Sequence, residues 1–337
     1  MGKIAFFELE KWEEEYVRKN LKGFKLKFFP ETLSAENAKS ASDCDAVAIF
    51  IYSKINAKIL EKLPKLKMIA TMSTGFDHID LKECKNRKIL VCNVPSYGEN
   101  TVAEHTFALI LALSRKIPES IERTKKADFS LSGLRGFDLK GKTIGVIGTG
   151  KIGRHVVRIA KGFEMNILAC DERKDVKFAK EYGFSYVPLA TLLKKSDIIS
   201  LHIPLTKETH HLINSRNINL IEKGAILFNT SRGGLIDTDA LCSALDSGIL
   251  KGAALDVLEE EGFIKEEKQL LSRAFPSEAN LKTILKDHIL LQKENVLITP
   301  HNAFNSSEAL QRILDVTVSN AKSFFSKKPQ NLVVVPK

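Results

Sequence analysis

The sequence TIGVIGTGKIG at residues 143–153 carries the pattern that decides the fold. Its first five residues form an apolar run typical of a buried strand, and a helical pattern follows the last glycine. Between them, Gly148, Gly150 and Gly153 give the spacing G-x-G-x-x-G, and Asp171 follows the next predicted strand. A glycine turn alone is a weak signal. A strand, this turn, a helix and a later acidic residue together predict a dinucleotide-binding site.

Each residue type in this pattern has a physical role. Gly148 permits a tight turn, Gly150 lets the backbone approach a pyrophosphate, and Gly153 allows the helix to pack closely on the strand. The helix N-terminus offers amide donors and partial positive charge to the phosphates. The carboxylate of Asp171 would bind the adenosine ribose and repel a 2′-phosphate, which favours NAD. Because the basic residues Arg173 and Lys174 lie just beyond, NADP stays an alternative cofactor.

Outward from this turn, strand and helix patterns alternate from about Gly141 to Pro300. The predicted strands are Thr143–Ile147, Asn166–Ala169, Ile198–His202, Ala225–Asn229, Gly252–Leu255 and Val296–Thr299. Six strands in this alternation predict a doubly wound parallel sheet.

The first hundred residues show a second alternation of the same kind. The predicted strands are Lys3–Phe7, Lys25–Phe29, Ala46–Ile51, Met68–Thr71 and Ile89–Cys92, with helical patterns at Glu10–Asn20 and Asn56–Leu63. A long buried helix is predicted at Gly98–Lys116, ended by Pro118. The tail predicts a helix at Ser306–Phe325 and an extended piece at Asn331–Val335.

Composition excludes several other classes of protein. A chain of 337 residues is long enough for about two domains. The net charge of +10 arises from 51 basic and 41 acidic residues that are spread evenly, which is typical of a solvated surface and not of a nucleic-acid-binding one. No apolar stretch reaches the ~20 residues of a membrane span, and we expect no signal peptide. Five cysteines without a C-x-x-C predict neither disulfides nor a metal site, and a cytoplasmic location.

Polar residues follow the strands of the second series where a parallel sheet binds its ligands. They are Asp171, His202, Asn229-Thr230-Ser231-Arg232, Asp256 and His301. Arg232 suits a carboxylate because its planar fork matches two oxygens. His301 suits proton transfer at neutral pH. The acidic run 256–261 could supply a carboxylate partner for the histidine, but composition alone does not show which residue of the run it is.

The chain resembles the D-isomer-specific 2-hydroxyacid dehydrogenases over essentially its whole length. The matching motifs are STGFDHID at 73–80, VP at 94–95, TVAEH at 101–105, the glycine turn, SLHIPLT at 200–206, NTSRG at 229–233 with Asp237, GAALDV at 252–257 and TPH at 299–301. The resemblance implies that Arg232 grips the substrate carboxylate and that His301 donates the proton. It also selects Glu261 from the acidic run as the partner of His301.

The resemblance further implies which residues contact cofactor and substrate. The cofactor contacts are Gly148, Gly150, Lys151, Ile152, Gly153, Asp171, His202, Ile203, Pro204, Thr209, Thr230, Ser231, Arg232 and Asp256. The substrate contacts are Thr74, Gly75, Phe76, Tyr97, Arg232, His301 and Phe304. The resemblance implies NAD as the cofactor and a small 2-oxo or 2-hydroxy acid as the partner.

The family fold consists of two Rossmann-like or flavodoxin-like α/β domains, with the cofactor domain inserted in the substrate domain. The expected boundaries are residues 1–98 for the first part of the substrate domain, 99–299 for the NAD-binding domain and 300–337 for the C-terminal return. Family members are generally homodimers, which is the expectation here.

Within the family, three features resemble the D-lactate dehydrogenase branch: the long segment between Glu261 and His301, the sequence HNAFNS at 301–306, and Tyr97. Phe304 fits a methyl-bearing substrate such as pyruvate. Met72 departs from the family pattern, since relatives often carry arginine there. The alternatives are a glyoxylate/hydroxypyruvate reductase, a D-3-phosphoglycerate dehydrogenase, or a non-enzymatic NAD-sensing protein similar to a corepressor.

Overall fold

The computed structural model of the chain describes residues 2–259 and 278–334. Its strands are β1 (Lys3–Phe7), β2 (Lys25–Phe29), β3 (Ala46–Ile49), β4 (Met68–Thr71), β5 (Leu90–Cys92), β6 (Thr143–Ile147), β7 (Asn166–Cys170), β8 (Ser185–Tyr186), β9 (Ile198–Leu201), β10 (Ala225–Asn229), β11 (Leu250–Leu255), β12 (Val296–Ile298) and β13 (Leu332–Val334). Its α-helices are α1 (Lys11–Asn20), α2 (Ala57–Leu60), α3 (Leu81–Asn86), α4 (Glu99–Ser114), α5 (Ile117–Lys125), α6 (Lys151–Gly162), α7 (Val176–Tyr182), α8 (Leu189–Lys195), α9 (Thr238–Asp246), α10 (Glu278–Leu291) and α11 (Ser307–Phe325).

The chain forms two compact units, and the first is built from both ends of the sequence. It comprises Met1–Tyr97 together with Ser306–Lys337. Its sheet has the order β13-β5-β4-β3-β1-β2, in which β13 is antiparallel to β5 and the remaining pairs are parallel. The tail strand β13 thus lies at one edge of the sheet, so the C-terminal segment completes the N-terminal unit.

The second unit, Gly98–Asn305, contains a parallel sheet with the order β12-β11-β10-β9-β6-β7-β8. Its central strands are mostly apolar and buried because helices cover both faces. Consecutive residues of one strand accordingly point to opposite faces and belong to separate buried clusters. Leu227 of β10 packs in one cluster and Phe228 packs in the other. The predicted fold class, two doubly wound α/β units with parallel sheets, is confirmed.

Some boundaries differ from the prediction. The strand predicted at Ala46–Ile51 ends at Ile49, the short strand β8 was not predicted, and the helix predicted at Asn56–Leu63 is only Ala57–Leu60. Pro118 does not simply end a helix. It lies in the first turn of α5, a position where proline is favoured. Lys116, between α4 and α5, has a left-handed φ of 54°, which separates the two helices. No helix within the described ranges is long and apolar enough to cross a bilayer.

Candidate active site

Strand order reverses between β6 and β9, which places the loops that follow these two strands side by side at the carboxyl edge of the sheet. Ligands of doubly wound folds bind at such a reversal. The backbone N–H of His202 donates to Ile147 O at 2.7 Å. Gly148 turns away from β6 with a φ of +94°, and a Cβ atom there would lie 2.5 Å from His202 O. Glycine is therefore required at Gly148 by both conformation and packing.

The N-terminus of α6 has the properties that a pyrophosphate needs. Its first turn contains no acidic residue, and its N-cap, Gly150, offers no side chain to satisfy the amides. A Cβ atom at Gly150 would meet no described atom within 4 Å, whereas one at Gly153 would overlap the carbonyl oxygen of Gly148. Open space thus lies beside Gly150, and tight packing lies at Gly153. This arrangement fits a dinucleotide phosphate at the helix N-terminus.

Asp171 lies just beyond β7 and is bonded to the glycine loop. Its Oδ2 accepts hydrogen bonds from Thr149 N at 2.6 Å and Thr149 Oγ1 at 2.9 Å, and its Oδ1 accepts from Arg173 N at 2.8 Å. The hydroxyls of Thr149 and Tyr186 lie 2.8 Å apart. Roles for Thr149 and Tyr186 were not predicted, since the sequence gives no sign that β8 carries a tyrosine to this loop.

His202 and His301 are both predicted at this edge of the sheet. The structure shows that the two rings differ in burial and therefore in their suitability for proton transfer. His202 is buried, and the hydroxyl of Ser200 lies 2.8 Å from its Nε2. Burial lowers the pKa of His202 to about 3, so this ring is neutral at physiological pH. A neutral, buried imidazole is a poor proton donor. His301 is half-buried, so of these two predicted histidines it is the one suited to proton transfer.

The turn after β10 carries Arg232. Asn229 clamps this turn, because its Nδ2 donates to Arg232 O at 2.8 Å and its Oδ1 accepts from Ser231 N at 3.0 Å. Ser231 Oγ donates to Leu201 O at 2.7 Å, which joins the turn to the end of β9. A Cβ atom at Gly233 would overlap the backbone of Leu258. These contacts fix the backbone on both sides of the half-buried Arg232.

Asp256 is a buried carboxylate that organises the segment carrying His301. With only 1% of its surface exposed, it accepts from Thr299 Oγ1 at 2.5 Å, and from Asn302 N and Ala303 N at 2.9 Å each. His301 N donates to Asp256 O at 2.9 Å. Asp256 therefore bonds to the segment on both sides of His301, which has a φ of 52°.

Phe304 and the remaining predicted cofactor contacts lie in the same unit. The ring of Phe304 lies edge-on to His301, with 6.5 Å between the ring centroids. Thr230 Oγ1 lies 2.9 Å from Thr106 Oγ1. Of the other predicted cofactor contacts, Lys151 is exposed and Ile152 packs on the core. Ile203 faces Gly148. The hydroxyl of Thr209 donates a hydrogen bond to the carbonyl of Pro204.

The predicted partner of His301, Glu261, lies outside the described residues. Within the described part of the acidic run, Glu259 is already engaged. Its Oε1 lies 2.5 Å from His211 Nε2, and its Oε2 accepts from Thr238 Oγ1 at 2.7 Å. The potential ligand atoms of His210, His211 and Glu259 lie within 4.8 Å of one another, so this group has the residue types of a divalent metal site.

Of the substrate contacts predicted for the first unit, Thr74, Gly75 and Phe76 lie in the loop after β4, and Tyr97 lies after β5. Thr74 Oγ1 donates to Val94 O at 2.8 Å, and Ser73 Oγ donates to Gly75 O at 2.7 Å. Phe76 packs against the core of the unit. Tyr97 O accepts from Arg312 Nε at 2.6 Å. Hydrogen bonds therefore hold the loop after β4 and the backbone at Tyr97 in defined conformations.

Comparison with known proteins decides the family. Residues 107–303, more than half of the chain, match the family described as D-isomer specific 2-hydroxyacid dehydrogenase, NAD binding domain. The chain belongs to the D-isomer-specific 2-hydroxyacid dehydrogenases. As a member of this family it is an oxidoreductase with an NAD-binding domain, and NAD is its cofactor. The resemblance read from the motifs, and with it the predicted enzyme class and cofactor, are confirmed.

Relatives within the 2-hydroxyacid dehydrogenases cover nearly the whole chain. The D-lactate dehydrogenase of Escherichia coli (strain K12) is 38% identical over 94% of this chain and 95% of its own. The glyoxylate reductase of Korarchaeum cryptofilum is 38% identical over 86% and 83%. The crystal structure of the Aquifex aeolicus D-lactate dehydrogenase, complexed with NAD and lactic acid, superposes with a TM-score of 0.89, at 38% identity over 99% of this chain and 100% of that chain.

Proposed function

We propose that the protein reduces pyruvate to D-lactate with NADH. The observation that supports this most strongly is the setting of His301. It lies on a segment bonded to buried Asp256, at the same sheet edge as the glycine loop, where the other histidine predicted from the sequence, His202, stays neutral. When bound, NADH supplies a hydride to the substrate carbon. The protein must then supply a proton and hold the 2-oxo acid.

Arg232 binds the substrate carboxylate in this proposal. A guanidinium presents two parallel donors to two carboxylate oxygens, and charge-assisted hydrogen bonds of this kind are roughly twice as strong as neutral ones. The turn that carries Arg232 is clamped by Asn229, so the guanidinium projects from a fixed backbone. The same positive charge also stabilises the negative charge that develops on the carbonyl oxygen during reduction.

His301 donates the proton to the carbonyl oxygen as it becomes a hydroxyl. Glu261 accepts a hydrogen bond from the imidazole in this proposal and stabilises its protonated form, as the family resemblance implies. In lactate oxidation, the same histidine would take the proton back. A Glu261→Gln variant should retain NADH binding and lose proton-donor efficiency, since the amide carries no charge.

Substrate size is assigned to Phe304, in the second unit. Phe304 lies beside His301 and offers an aromatic edge to a small side chain such as the methyl group of pyruvate. The substrate contacts predicted for Thr74, Gly75, Phe76 and Tyr97 of the first unit stay predictions. The Aquifex aeolicus relative, solved as a complex with NAD and lactic acid, supports a substrate of this size.

A second candidate function is the reduction of glyoxylate, supported by the 38% identity to the Korarchaeum cryptofilum glyoxylate reductase. Glyoxylate lacks the methyl group of pyruvate. A single methyl group in an apolar pocket changes specificity by about 10- to 200-fold. The two functions are therefore separated by kcat/KM values and not by the presence or absence of activity.

The test is a substrate panel with the purified protein. NADH oxidation is followed with pyruvate, glyoxylate, hydroxypyruvate and 2-oxobutyrate, and the products are separated on a chiral column. The proposal predicts the highest kcat/KM for pyruvate and D-lactate as the product. A higher kcat/KM for glyoxylate would replace the first candidate with the second. Failure to oxidise NADH with any of these acids would refute both.

We also propose that the protein is a cytoplasmic homodimer. Apolar side chains on and after α5 support self-association, since Phe129 is 79% exposed and Leu131 is 83% exposed, with Ile117 and Ile121 on the helix also exposed. Light scattering of the wild-type protein and of a Phe129→Ser, Leu131→Ser variant checks this. The wild type should have about twice the mass of one chain, and the variant should lose part or all of the dimer.

A further inference from the structure

Helix α4 carries a histidine that the proposed reaction does not use. The side chain of His105 is 22% exposed, and its Nε2 lies 3.2 Å from Thr299 Oγ1 and 3.6 Å from Asp256 Oδ1. Within the described part of the chain, no other basic nitrogen comes within 4 Å of the Asp256 carboxylate. His105 therefore joins the beginning of the second unit to the segment near its end that carries His301.

The direction of these hydrogen bonds follows from the groups themselves. A carboxylate can only accept, so the Thr299 hydroxyl donates its one hydrogen to Asp256 Oδ1. The same hydroxyl oxygen must then accept from His105, which requires a hydrogen on Nε2. The chain of donors is thus His105 Nε2 to Thr299 Oγ1 to Asp256 Oδ1, and successive bonds of this kind strengthen one another.

The end of this chain is the segment around His301. Asp256 accepts from the backbone N–H groups of Asn302 and Ala303, and its carbonyl accepts from His301 N. His301 has a φ of 52°, a left-handed conformation that is unfavourable for a non-glycine residue and persists only when its surroundings hold it. Loosening of the Asp256 carboxylate would release the contacts that hold this conformation.

We propose that His105 is a positioning residue for the dehydrogenase reaction, acting through Thr299 and Asp256 to hold His301 in place. The inference rests on the proposed role of His301 as the proton donor. His105 itself donates no proton to the substrate. It supplies one hydrogen bond to Thr299 and thereby fixes the carboxylate that accepts from the backbone N–H groups of the two residues after the catalytic histidine.

The kinetic test compares four variants. His105→Ala and Thr299→Val each break the chain of donors, and a displacement of about 1 Å at a reacting group can lower the rate by up to about 10²-fold. We expect kcat with pyruvate to fall about 10- to 100-fold in both, with the dissociation constant for NADH nearly unchanged. His105→Gln keeps an N–H donor and should recover most of kcat. His155→Ala, on α6, is the matched control and should behave as the wild type.

The double variant separates positioning from a general loss of packing. If His105 acts through Thr299, combining His105→Ala with Thr299→Val should cost little more than Thr299→Val alone, since coupled residues are non-additive. Thermal unfolding of each variant is measured in parallel, and NADH binding is titrated by fluorescence. A parallel loss of stability and NADH affinity in His105→Ala would overturn the proposal in favour of a purely structural role.

A second measurement does not depend on activity. Long-range ¹H–¹⁵N correlation spectra report which ring nitrogen of a neutral histidine carries the hydrogen, and the His105 signals are assigned by their absence in His105→Gln. The proposal requires a hydrogen on Nε2 in the wild type. A hydrogen on Nδ1 alone would overturn it. So would a wild-type kcat in His105→Ala, whereas a wild-type protein inactive on every 2-oxo acid refutes the proposed function itself.

Discussion

Replacement of Gly148 by alanine is expected to damage both the stability of the second unit and its affinity for NADH. Alanine at a φ of +94° enters the left-handed half of conformational space, which costs roughly 1–2 kcal/mol. Its Cβ would lie 2.5 Å from His202 O, a backbone atom that cannot rotate away, and such overpacking typically costs about 1–3 kcal/mol more. Together these effects destabilise the unit by about 2–5 kcal/mol.

Two other glycines provide matched comparisons. Alanine at Gly150 meets no described atom within 4 Å, so the fold should tolerate it. Its methyl group enters the space assigned to the pyrophosphate, however, and NADH affinity should fall. Gly162 lies at the end of α6, also with no described atom within 4 Å of an added Cβ. There alanine should leave NADH binding unchanged and stabilise the helix by up to about 1 kcal/mol.

Thermal unfolding and fluorescence titration with NADH test these three variants together. For a unit of this size, each kcal/mol changes the unfolding temperature by about 2–4 °C. Gly148→Ala should lower both the unfolding temperature and the affinity, Gly150→Ala only the affinity, and Gly162→Ala neither. Wild-type stability in Gly148→Ala would refute the packing argument. Wild-type NADH affinity in Gly150→Ala would refute the placement of the pyrophosphate at this helix.

Three further predictions concern single residues at the sheet edge. Arg232→Lys keeps the charge but loses the bidentate fork, so the KM for pyruvate should rise about 10- to 100-fold in steady-state assays, a larger change than that in NADH affinity; an unchanged KM would remove Arg232 from carboxylate binding. The pKa of His202 is lowered from 6.5 in the unfolded chain to about 3 in the fold, so the unfolded state binds more protons between these values. Stability should therefore fall as pH decreases from about 6.5 towards 3, by at most about 1.4 kcal/mol per pH unit, and urea titrations should show a weaker pH dependence in His202→Asn. Asp171→Ser removes the charge that repels a 2′-phosphate near Arg173 and Lys174, so the ratio of kcat/KM with NADPH to that with NADH should rise about 10-fold or more; an unchanged ratio would show that Asp171 does not set cofactor preference.

Much of the fold could be predicted from the sequence because its strongest signals are local. The glycine turn specifies its own geometry, and polar residues after apolar strands mark the carboxyl edge of a parallel sheet. The role of Pro118 was predicted incompletely, because a proline can either follow the end of one helix or lie in the first turn of the next. The left-handed conformation of Lys116, which separates the two helices, shows that Pro118 belongs to the first turn of α5. β8 is a two-residue strand, too short to leave a period in the sequence.

The site was predicted less completely, because its electrostatics depend on tertiary burial. Nothing in the local sequence shows that His202 is buried and neutral while His301 is half-buried. His105 and Thr299 both lie in motifs that resemble the family, yet they are 194 positions apart, and only the fold shows that they share a hydrogen bond. The choice of Glu261 depended on resemblance alone, and it stays a prediction.

The comparison of wild-type protein with His301→Ala tests the central claim most directly. Each is supplied with pyruvate and NADH, NADH oxidation is timed, and the lactate formed is resolved by chirality. We expect D-lactate from the wild type, and in the variant an unchanged NADH affinity with kcat lower by about 10²- to 10⁴-fold, the usual contribution of a general acid. Near-normal turnover in His301→Ala, or L-lactate from the wild type, would contradict the assignment of His301 as the proton donor in D-lactate formation.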